Sequence, residues 1–436
     1  MRVFLSAGEP SGDHHAALLA RALRERCPDV ECVGLGGPQM AAEGVELVAD
    51  MTRLAVMWFL RVILSIHRFV DLARRAERSF LDHRPDVCVL VDFPGFHWWL
   101  AWRAKRHGIP VVFYCPPQIW AWASWRKEKM RRLVDHVLAP LPFEHDWFTA
   151  EGIASTLVGH PFFDESVHPH PHPHPHPHPH PHPHPLPRAT ETQAPSGRGP
   201  LVLLLPGSRG QEISGNLPSL LRGGERVARR VPDARFVVAV LHDRHAEVVR
   251  EMIAGAGGSA VEIVAGRTRS LMAEASCAIA VSGSVSLELL AARLPAVIIY
   301  RIGGFAYIVQ SWFRHARFIT LVNLMAVPDP ILPVRGVFSP PTVVPPADPD
   351  AIYPEYLAVG DPADRAAEHV VTWLTDAAAR QSVVERLDEV AARVARSGSA
   401  SRAAAAVLAI AAGNDPAAAV DGVDEAMAQA TSIRAA

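Results

Sequence analysis

Nine consecutive His-Pro pairs occupy residues 168–185 and interrupt the chain before its midpoint. Proline fixes φ and has no backbone N–H, so a repeat with proline at every second position can join neither a helix nor a sheet. The pairs predict an extended, polyproline-like spacer, and the Pro/Ser/Gly/Thr-rich residues that follow lengthen it to about residue 199. We therefore expect separate folded domains on its two sides.

Both sides show the same alternation of short apolar runs with helical patterns. Such alternation predicts parallel strands joined by right-handed crossovers, which is typical of α/β proteins. We predict two Rossmann-like, doubly wound domains facing a cleft. The predicted strands are 2–7, 30–35, 86–91, 111–114, 134–139 and 155–158 before the spacer, and 201–205, 235–241, 260–264, 277–281 and 296–300 after it.

The same patterns give the domain boundaries. We predict an N-terminal Rossmann-like domain over 1–165, a linker over 166–199 and a second Rossmann-like domain over 200–375. Helices follow over 376–412, and the small, polar residues 413–436 predict a flexible tail. A Pro-rich loop at 328–349 interrupts the second domain.

Composition excludes several classes of protein. Of the 436 residues, 49% are apolar and 20% are charged, which suits chains with large cores. Lys and Arg number 43 against 45 Asp and Glu, so no bulk positive field recruits nucleic acid. The five cysteines form no CxxC pair, which argues against structural zinc or a disulfide framework. The first residues resemble a strand, so we expect no secretory signal.

Two turns of the N-terminal half follow predicted strands, where open α/β sheets bind ligands. Residues 8–13 read Gly-Glu-Pro-Ser-Gly-Asp and open a helix, whose N–H groups favour an anion or a sugar hydroxyl. The pattern is not GxGxxG, and Asp13 is equally suited to capping a helix. Asp92 follows another strand, where a carboxylate can act as a general base or form an Asx-turn.

Two similar turns lie in the C-terminal half. In Pro-Gly-Ser-Arg-Gly-Gln-Glu at 206–212, Arg209 offers a charged fork for a phosphate, although the Lys-Ser/Thr of a P-loop is missing. The Ser/Gly-rich turn at 282–286 can hold a diphosphate on its N–H groups, and Glu288 can accept hydrogen bonds from a ribose. An ordinary capping box explains residues 282–288 equally well.

One apolar stretch and the His-Pro repeat each allow two interpretations. The stretch contains Met57, Trp58, Phe59, Leu60, Ile63 and Leu64 with arginines around it. It is too short to span a bilayer and fits either a buried helix or an interfacial segment. The repeat could bind metal through its imidazoles, but it has no defined second shell, so we favour a spacer.

Taken in order, these turns resemble the lipid-A-disaccharide synthase family. The matching segments lie at 7–13, 34–40, 54–57, 85–87, 91–94, 117–122, 141–144, 158–161, 205–212, 282–284 and 321–324. The resemblance implies a glycosyltransferase of the two-Rossmann-domain (GT-B) type. It also implies an inverting transfer of 2,3-diacylglucosamine from UDP-2,3-diacylglucosamine to 2,3-diacylglucosamine 1-phosphate. The products are the β-1′,6-linked disaccharide 1-phosphate and UDP, formed without metal or other cofactor.

The resemblance also assigns site residues. Asp92 is the expected base, Arg209 and the turn at 282–286 the site of the leaving diphosphate, Glu288 the ribose contact, and Asn323 a neighbour of the nucleotide. The full set of expected substrate-binding residues is Glu9, Ser11, Gly12, Asp13, Trp120, Ser208, Arg209, Glu212, Ser282, Gly283, Ser284, Glu288 and Asn323.

Because both implied substrates carry acyl chains, the apolar stretch now favours a membrane-docking surface. We expect a cytoplasmic protein that is peripheral on the inner face of the inner membrane, and a homodimer is left open.

The chain departs from the family pattern at several positions. Gly95 and His97 stand where the family usually has Asp and Asn. The segment Pro-Glu-Tyr-Leu at 354–357 comes only after the Pro-rich loop, with Ala358 in place of Gln. The alternatives are another UDP-sugar glycosyltransferase, a UDP-N-acetylglucosamine 2-epimerase, and a non-catalytic metal-handling protein built around the His-Pro repeat.

Overall fold

The computed structural model describes residues 1–52, 66–165, 199–255, 261–283, 285–332, 344 and 346–435. The chain divides into two compact units. The first consists of the described parts of Met1–His172 and Arg396–Ala436, and the second of those of Pro173–Ala395. The break between them falls within the His-Pro repeat, where the sequence predicts the linker.

The first unit is built on a seven-stranded parallel sheet in the order β3-β2-β1-β4-β5-β6-β7. Its strands are almost continuously apolar because helices cover both faces, and a buried cluster lies on each side. The strands are β1 Arg2–Ala7, β2 Glu31–Gly36, β3 Glu46–Asp50, β4 Val87–Val91, β5 Val111–Tyr114, β6 His136–Ala139 and β7 Ser155–Leu157. All were predicted except β3, a half-buried edge strand.

Helices of the first unit begin at the ends of these strands, and several start with proline. Proline suits the first turn of a helix because backbone N–H groups there have no intrahelical acceptor, so the lack of an N–H costs no hydrogen bond. The helices are α1 Pro10–Arg26, α2 Pro38–Ala42, α3 Ile66–Asp82, α4 Pro94–Arg106, α5 Ile119–Trp122, α6 Lys127–Leu133, α7 Pro142–Ala150 and α8 Phe162–Glu165.

The second unit repeats the plan with six parallel strands in the order β10-β9-β8-β11-β12-β13. These are β8 Leu201–Leu205, β9 Arg235–Val240, β10 Glu262–Ala265, β11 Cys277–Val281, β12 Ala296–Arg301 and β13 Glu355–Ala358, of which only β13 was not predicted. Its helices are α9 Gly210–Arg230, α10 Asp243–Gly255, α11 Thr268–Glu274, α12 Val285–Ala291, α13 Gly304–Phe313, α14 Leu321–Ala326, α15 Ala363–Thr375 and α16 Ala377–Val394.

The C-terminal segment departs from our expectation. The predicted helical region divides, since α16 belongs to the second unit whereas α17 Ser399–Ala411 packs on α1 of the first. The residues predicted to form a flexible tail instead form helix α18 Pro416–Ala435, which packs on α17 and buries Val420 and Val423. Alanines provide high helix propensity but no clear apolar stripe, so the sequence pattern did not indicate the packed face.

Each sheet changes the direction of its strand order once, between β1 and β4 in the first unit and between β8 and β11 in the second. Open α/β sheets bind ligands beyond the carboxyl ends of the strands at such switch points. The register places Ala7 opposite Val91, so β1 and β4 end side by side. The fold therefore places residues 8–13 and Asp92 at one switch point, and residues 206–212 and Ser282 at the other.

Candidate active site

At the switch point of the first unit, the turn after β1 lies directly against the turn after β4. A Cβ atom on Gly8 would lie 2.3 Å from the ring of Phe93, and one on Gly12 would lie 3.9 Å from the Cβ of Asp92. Only glycine fits at position 8, because any side chain would overlap the aromatic ring. Two motifs that are some eighty residues apart in the sequence thus form one local site.

Backbone strain is concentrated at this edge of the sheet. Among the described residues, the non-glycine positions with positive φ are Asp92 (52°), Phe93 (47°), Cys115 (50°) and Arg293 (53°). The first three directly follow β4 and β5. A side chain in the left-handed region costs about 1–3 kcal/mol and persists where the surroundings enforce it, often at functional sites. The strain supports the choice of Asp92 as a functional residue.

His97, on the first turn of α4, fixes the backbone of Asp92. Its fully buried ring lies with Nδ1 2.6 Å from the carbonyl oxygen of Asp92 and with Nε2 2.9 Å from the hydroxyl of Ser6 in β1. A carbonyl can only accept, so Nδ1 carries the hydrogen and the Ser6 hydroxyl donates to Nε2. Burial lowers the pKa of His97 to about 4 and keeps the ring neutral. His97 therefore ties the strained turn to β1.

The carboxyl group of Asp92 lies in a partly desolvated environment. Burial raises its pKa above the ordinary value, and a hydrogen bond from the backbone N–H of Phe93 opposes that shift. A carboxylate with a raised pKa is a better proton acceptor than one in water. Both the position and the electrostatics of Asp92 suit a general base.

Trp120 lies inside the first unit. Its indole N–H donates to Glu144 Oε1 at 3.0 Å, and its ring packs edge-on against Phe143 with centroids 4.9 Å apart. Burial raises the pKa of Glu144 to about 8, so this carboxyl group is mostly protonated at neutral pH, and its Oε2 has no hydrogen-bond partner within the described structure. In this structure the buried Trp120 side chain joins α5 to α7.

Asp13 also has a structural role. Its buried carboxylate accepts hydrogen bonds from the backbone N–H groups of Gly37, Gln39 and Met40 at 2.8, 3.0 and 3.2 Å. Asp13 thus caps α2 rather than its own helix and joins the turns after β1 and β2. Ser11 is exposed and Glu9 is half-buried, so these two side chains remain at the surface of the turn.

In the second unit, the turn after β8 presents an exposed guanidinium. The Arg209 side chain is 78% exposed and lies 3.6 Å from the Glu212 carboxylate. That carboxylate accepts the backbone N–H groups of Ser208 at 3.2 Å and Arg209 at 3.3 Å, which caps α9. Gly207 has φ of 106°, and a Cβ there would lie 2.8 Å from Glu212 Oε2. Glu212 shapes the turn, whereas Arg209 is accessible to an anion.

The turn after β11 is attached to a neighbouring loop. The hydroxyl of Ser282 donates to the carbonyl of Ile319 at 3.0 Å. Gly283 follows it, Ser284 lies outside the described residues, and Ser286 donates back to the Gly283 carbonyl at 3.0 Å. Glu288 is half-buried in the first turn of α12. The capping geometry and a ligand-binding role are therefore compatible in this turn.

A buried polar network supports that loop. The Glu355 carboxylate, at the start of β13, accepts the N–H of Ile319 at 2.7 Å and both the N–H and the hydroxyl of Thr320. Asn323 donates to Glu355 at 2.9 Å and to the Tyr353 carbonyl at 2.8 Å. Its side-chain oxygen accepts two further N–H groups. Asn323 is thus fully hydrogen-bonded within the protein and holds the loop that carries Ile319.

Two predicted features, the apolar stretch and the His-Pro repeat, lie in parts of the chain that the structure does not describe. The expected membrane-contact residues Met57, Trp58, Phe59, Leu60, Ile63 and Leu64, and the His-Pro repeat, lie outside the described residues. Among the residues that are described, no group of three or more His, Cys, Asp or Glu side chains could hold a metal ion. None of the described helices combines the length and the apolar character that crossing a membrane requires.

Comparison with known proteins decides the family. A family model described as lipid-A-disaccharide synthetase matches residues 3–332. The chain belongs to the lipid-A-disaccharide synthase family. The synthase of Myxococcus xanthus is 31% identical over 407 residues, which cover 93% of this chain and 97% of that protein. The synthase of Alkalilimnicola ehrlichii is 33% identical over 328 residues, which cover 75% of this chain and 82% of that protein.

Solved structures show the same fold at low identity. A putative UDP-N-acetylglucosamine 2-epimerase from Listeria monocytogenes has a TM-score of 0.59 at 10% identity and covers 95% of this chain and 98% of its own. The glycotransferase of kitacinnamycin has a TM-score of 0.51 at 14% identity, and the match covers 97% of this chain and 98% of that protein. The predicted GT-B fold of this lipid-A-disaccharide synthase family member is confirmed, and the enzyme is a glycosyltransferase.

Sequence reasoning assigned no role to several residues that build the site of this family member. Ser6 and His97 hold the Asp92 turn, Glu144 binds Trp120, and Glu355 organises the loop beside Ser282. His97 stands where the resemblance leads us to expect Asn, and the substitution keeps a side chain that can donate to a carbonyl. A polar residue in the first helical turn after a strand-end aspartate was the available signal.

Proposed function

We propose that this chain performs the family's reaction with Asp92 as the catalytic base. The substrates are UDP-2,3-diacylglucosamine and 2,3-diacylglucosamine 1-phosphate, and the products are the β-1′,6-linked disaccharide 1-phosphate and UDP. The observation that carries the proposal is Asp92 itself, which has a strained backbone and a half-buried carboxyl group at the switch point of a Rossmann-like sheet, within a chain of this family.

Asp92 takes the proton from the acceptor. In the proposed step its carboxylate removes the proton of the 6-hydroxyl while that oxygen attacks the anomeric carbon of the donor. The bond from that carbon to the UDP oxygen breaks on the opposite side, which inverts the configuration. His97 holds the Asp92 backbone from behind, so the carboxylate does not have to be ordered during each turnover.

Arg209 stabilises the diphosphate that leaves. Negative charge develops on UDP as the glycosidic bond breaks, and a guanidinium can donate two parallel hydrogen bonds to a phosphate. The exposure of Arg209 and the capping of its turn by Glu212, for whose carboxylate Gly207 leaves room, support this role. The turn at 282–283 adds backbone N–H groups, and Glu288 is the proposed ribose contact.

The remaining predicted binding residues fall into two groups. Glu9, Ser11, Gly12 and Ser208 lie on the two turns themselves, where direct contact with substrate is proposed. Asp13, Trp120, Glu212 and Asn323 are hydrogen-bonded within the protein, so we assign them a positioning role.

Acyl chains on both substrates require access from a lipid bilayer. We propose that the protein is peripheral on the cytoplasmic face of the inner membrane and that Met57, Trp58, Phe59, Leu60, Ile63 and Leu64 contact lipid. The composition of that segment, with arginines at 53, 61 and 68, supports the proposal. Serine at positions 58–60 should reduce vesicle binding and turnover of lipid substrates while the melting temperature stays the same.

A product assay tests the reaction. The purified full chain is incubated with both diacylated substrates, and the disaccharide 1-phosphate and UDP are quantified by mass spectrometry. Equal amounts of the two products, with none when the acceptor is omitted, support the proposal. Conversion of UDP-N-acetylglucosamine to its 2-epimer, without disaccharide formation, would identify an epimerase instead.

Deleting residues 168–185 should leave activity intact, since a spacer is dispensable and a metal-sensing segment is not.

A further inference from the structure

Helix α13 in the second unit presents apolar side chains to solvent along its whole length. None of its ten residues is buried. Phe305 is 81% exposed and Trp312 is 57% exposed, and Val309 and Phe313 are also exposed. Positions 305, 309, 312 and 313 have the spacing i, i+4, i+7 and i+8, so they form one stripe on the helix. The polarity is the reverse of an ordinary surface helix, which turns its apolar stripe inward.

A stripe of this kind marks a contact surface. Single exposed apolar side chains are common and need no explanation, whereas a contiguous patch in a folded protein indicates a partner. Leu241, directly after β9 in the same unit, is an example of a single exposed apolar side chain. The question is what covers the α13 stripe.

The charge around the helix indicates an anionic surface. Between residues 289 and 328 the chain has no Asp or Glu, but it has four arginines and one histidine. Arg293 and Arg317 form ion pairs with Asp388 and with Asp348 and Asp350.

The other two arginines bracket α13. Arg301 is the last residue of β12, three residues before α13 begins, and Arg314 directly follows the helix. Neither has an ion-pair partner among the described residues, and the Arg301 Nε is buried without a hydrogen bond. Anionic lipid headgroups attract such flanking cations, at about 1 kcal/mol for each residue near the surface.

The dimensions of the helix fit an interfacial position. Ten residues rise about 15 Å, half of the roughly 30 Å hydrocarbon core, so α13 can lie in the plane of the interface but cannot cross it. Tyr307 and Trp312 carry polar tips on apolar rings, and such side chains favour the headgroup level.

A second copy of the chain fits the stripe less well. A standard protein interface uses about 20–30 residues from each partner, far more than this stripe supplies. A two-fold pairing of antiparallel α13 helices would also bring Arg301 of one copy towards Arg314 of the other, and like charges repel.

We propose that α13 docks the second unit onto an anionic bilayer, with Phe305, Val309, Trp312 and Phe313 at the boundary of headgroups and acyl chains. This contact is separate from the apolar segment at 57–64 of the first unit and does not depend on the transferase reaction. The second unit thus has a membrane anchor of its own.

Vesicle binding without substrate tests the proposal. Purified full chain is co-sedimented with vesicles of phosphatidylethanolamine and phosphatidylglycerol, and with vesicles of phosphatidylcholine alone. The Phe305→Ser/Trp312→Ser variant should bind the anionic vesicles about tenfold more weakly, with an unchanged melting temperature, because burial of two aromatic rings in the interface is lost. Arg301→Gln/Arg314→Gln should remove most of the preference for anionic over neutral vesicles.

Leu241→Ser is the matched control, since it removes an exposed apolar side chain that directly follows β9, three strands away from β12 in the same sheet. It should bind as the wild type does. The effect of the α13 variant should persist in a chain with serine at positions 58–60, which separates the two membrane contacts. Unchanged vesicle binding by the α13 variant overturns the proposal. So does a change from dimer to monomer in sedimentation velocity with vesicle binding intact, which would identify a subunit interface.

Discussion

The two switch-point turns of this enzyme are built in opposite ways. The Asp92 turn is strained, half-buried and tied to β1 through His97, with an aromatic ring filling the space beside Gly8. The Arg209 turn is capped by one carboxylate and leaves its guanidinium in solvent. The difference follows from the chemistry proposed for each. A base gains from desolvation and fixed position, whereas a cation that meets a diphosphate must be accessible before the ligand arrives.

In the second unit the rigid part is not the exposed Arg209 turn but the buried hydrogen-bond network of Glu355 and Asn323. Glu355 and Asn323 hold the loop at 319–320, and Ser282 donates to that loop. The ligand-facing turn after β8 is therefore open, while the turn after β11 rests on a buried network. In the first unit, one turn is both rigid and proposed to react, because the strained residue Asp92 is itself the proposed base.

The largest expected effect is on the base. Asp92→Asn keeps the shape of the turn but removes the proton acceptor, so turnover should fall by about 10²–10⁴-fold. Isothermal titration should show UDP affinity unchanged, since the nucleotide is assigned to the other unit. Asp71→Asn, at an exposed position of α3, serves as the control. Turnover within a few-fold of the wild type would remove Asp92 from the mechanism.

The next effect concerns the open turn. Arg209→Ala should lower UDP affinity and kcat/KM by about 10–100-fold, because a charge-assisted hydrogen bond contributes about 1.5–3 kcal/mol. Arg209→Lys should keep only part of the wild-type UDP affinity and kcat/KM, since the ammonium group of lysine lacks the planar fork of the guanidinium. Arg230→Ala, at the exposed end of α9, is the matched control. If UDP affinity is the same in the Ala variant and the wild type, Arg209 does not bind phosphate.

Local sequence patterns predicted the strands well and the connections between side chains poorly. Buried parallel strands are continuous apolar runs, so most boundaries agree within one or two residues. Strand β13 was not predicted because it follows the Pro-rich loop and begins with Glu355, whose carboxylate is hydrogen-bonded inside the protein. The positions of Asp92 and Arg209 just after strands were predicted because strand ends can be read directly from the sequence. The contacts of His97 with Ser6 and of Glu144 with Trp120 form only when separate segments pack, and no local pattern encodes them.

A smaller kinetic effect should come from the residue behind the base. His97→Leu leaves the Ser6 hydroxyl and the Asp92 carbonyl without their partner, so the turn loosens and kcat should fall by about tenfold. His97→Asn retains a donor and should recover most of that loss. KM for the UDP-sugar should be the same in all three proteins, and the acid limb of the kcat profile should shift in the Leu variant as the Asp92 environment changes. An equal loss of kcat in both variants, with an unshifted profile, would indicate a purely structural histidine.

The last expected effect is on stability rather than on rate. Burial raises the pKa of Glu144 from 4.5 to about 8, so between these pH values the folded protein keeps a proton that the unfolded chain releases. The free energy of unfolding attributable to this group therefore falls as pH rises through that window. Glu144→Gln removes the titration and keeps an oxygen that can accept from Trp120. We expect thermal melts to show the variant gaining stability relative to the wild type as pH increases from about 5 to about 8. A difference between Glu144→Gln and the wild type that is constant with pH would mean that Glu144 is ionised in the folded protein over this pH range, with its negative charge beside Trp120.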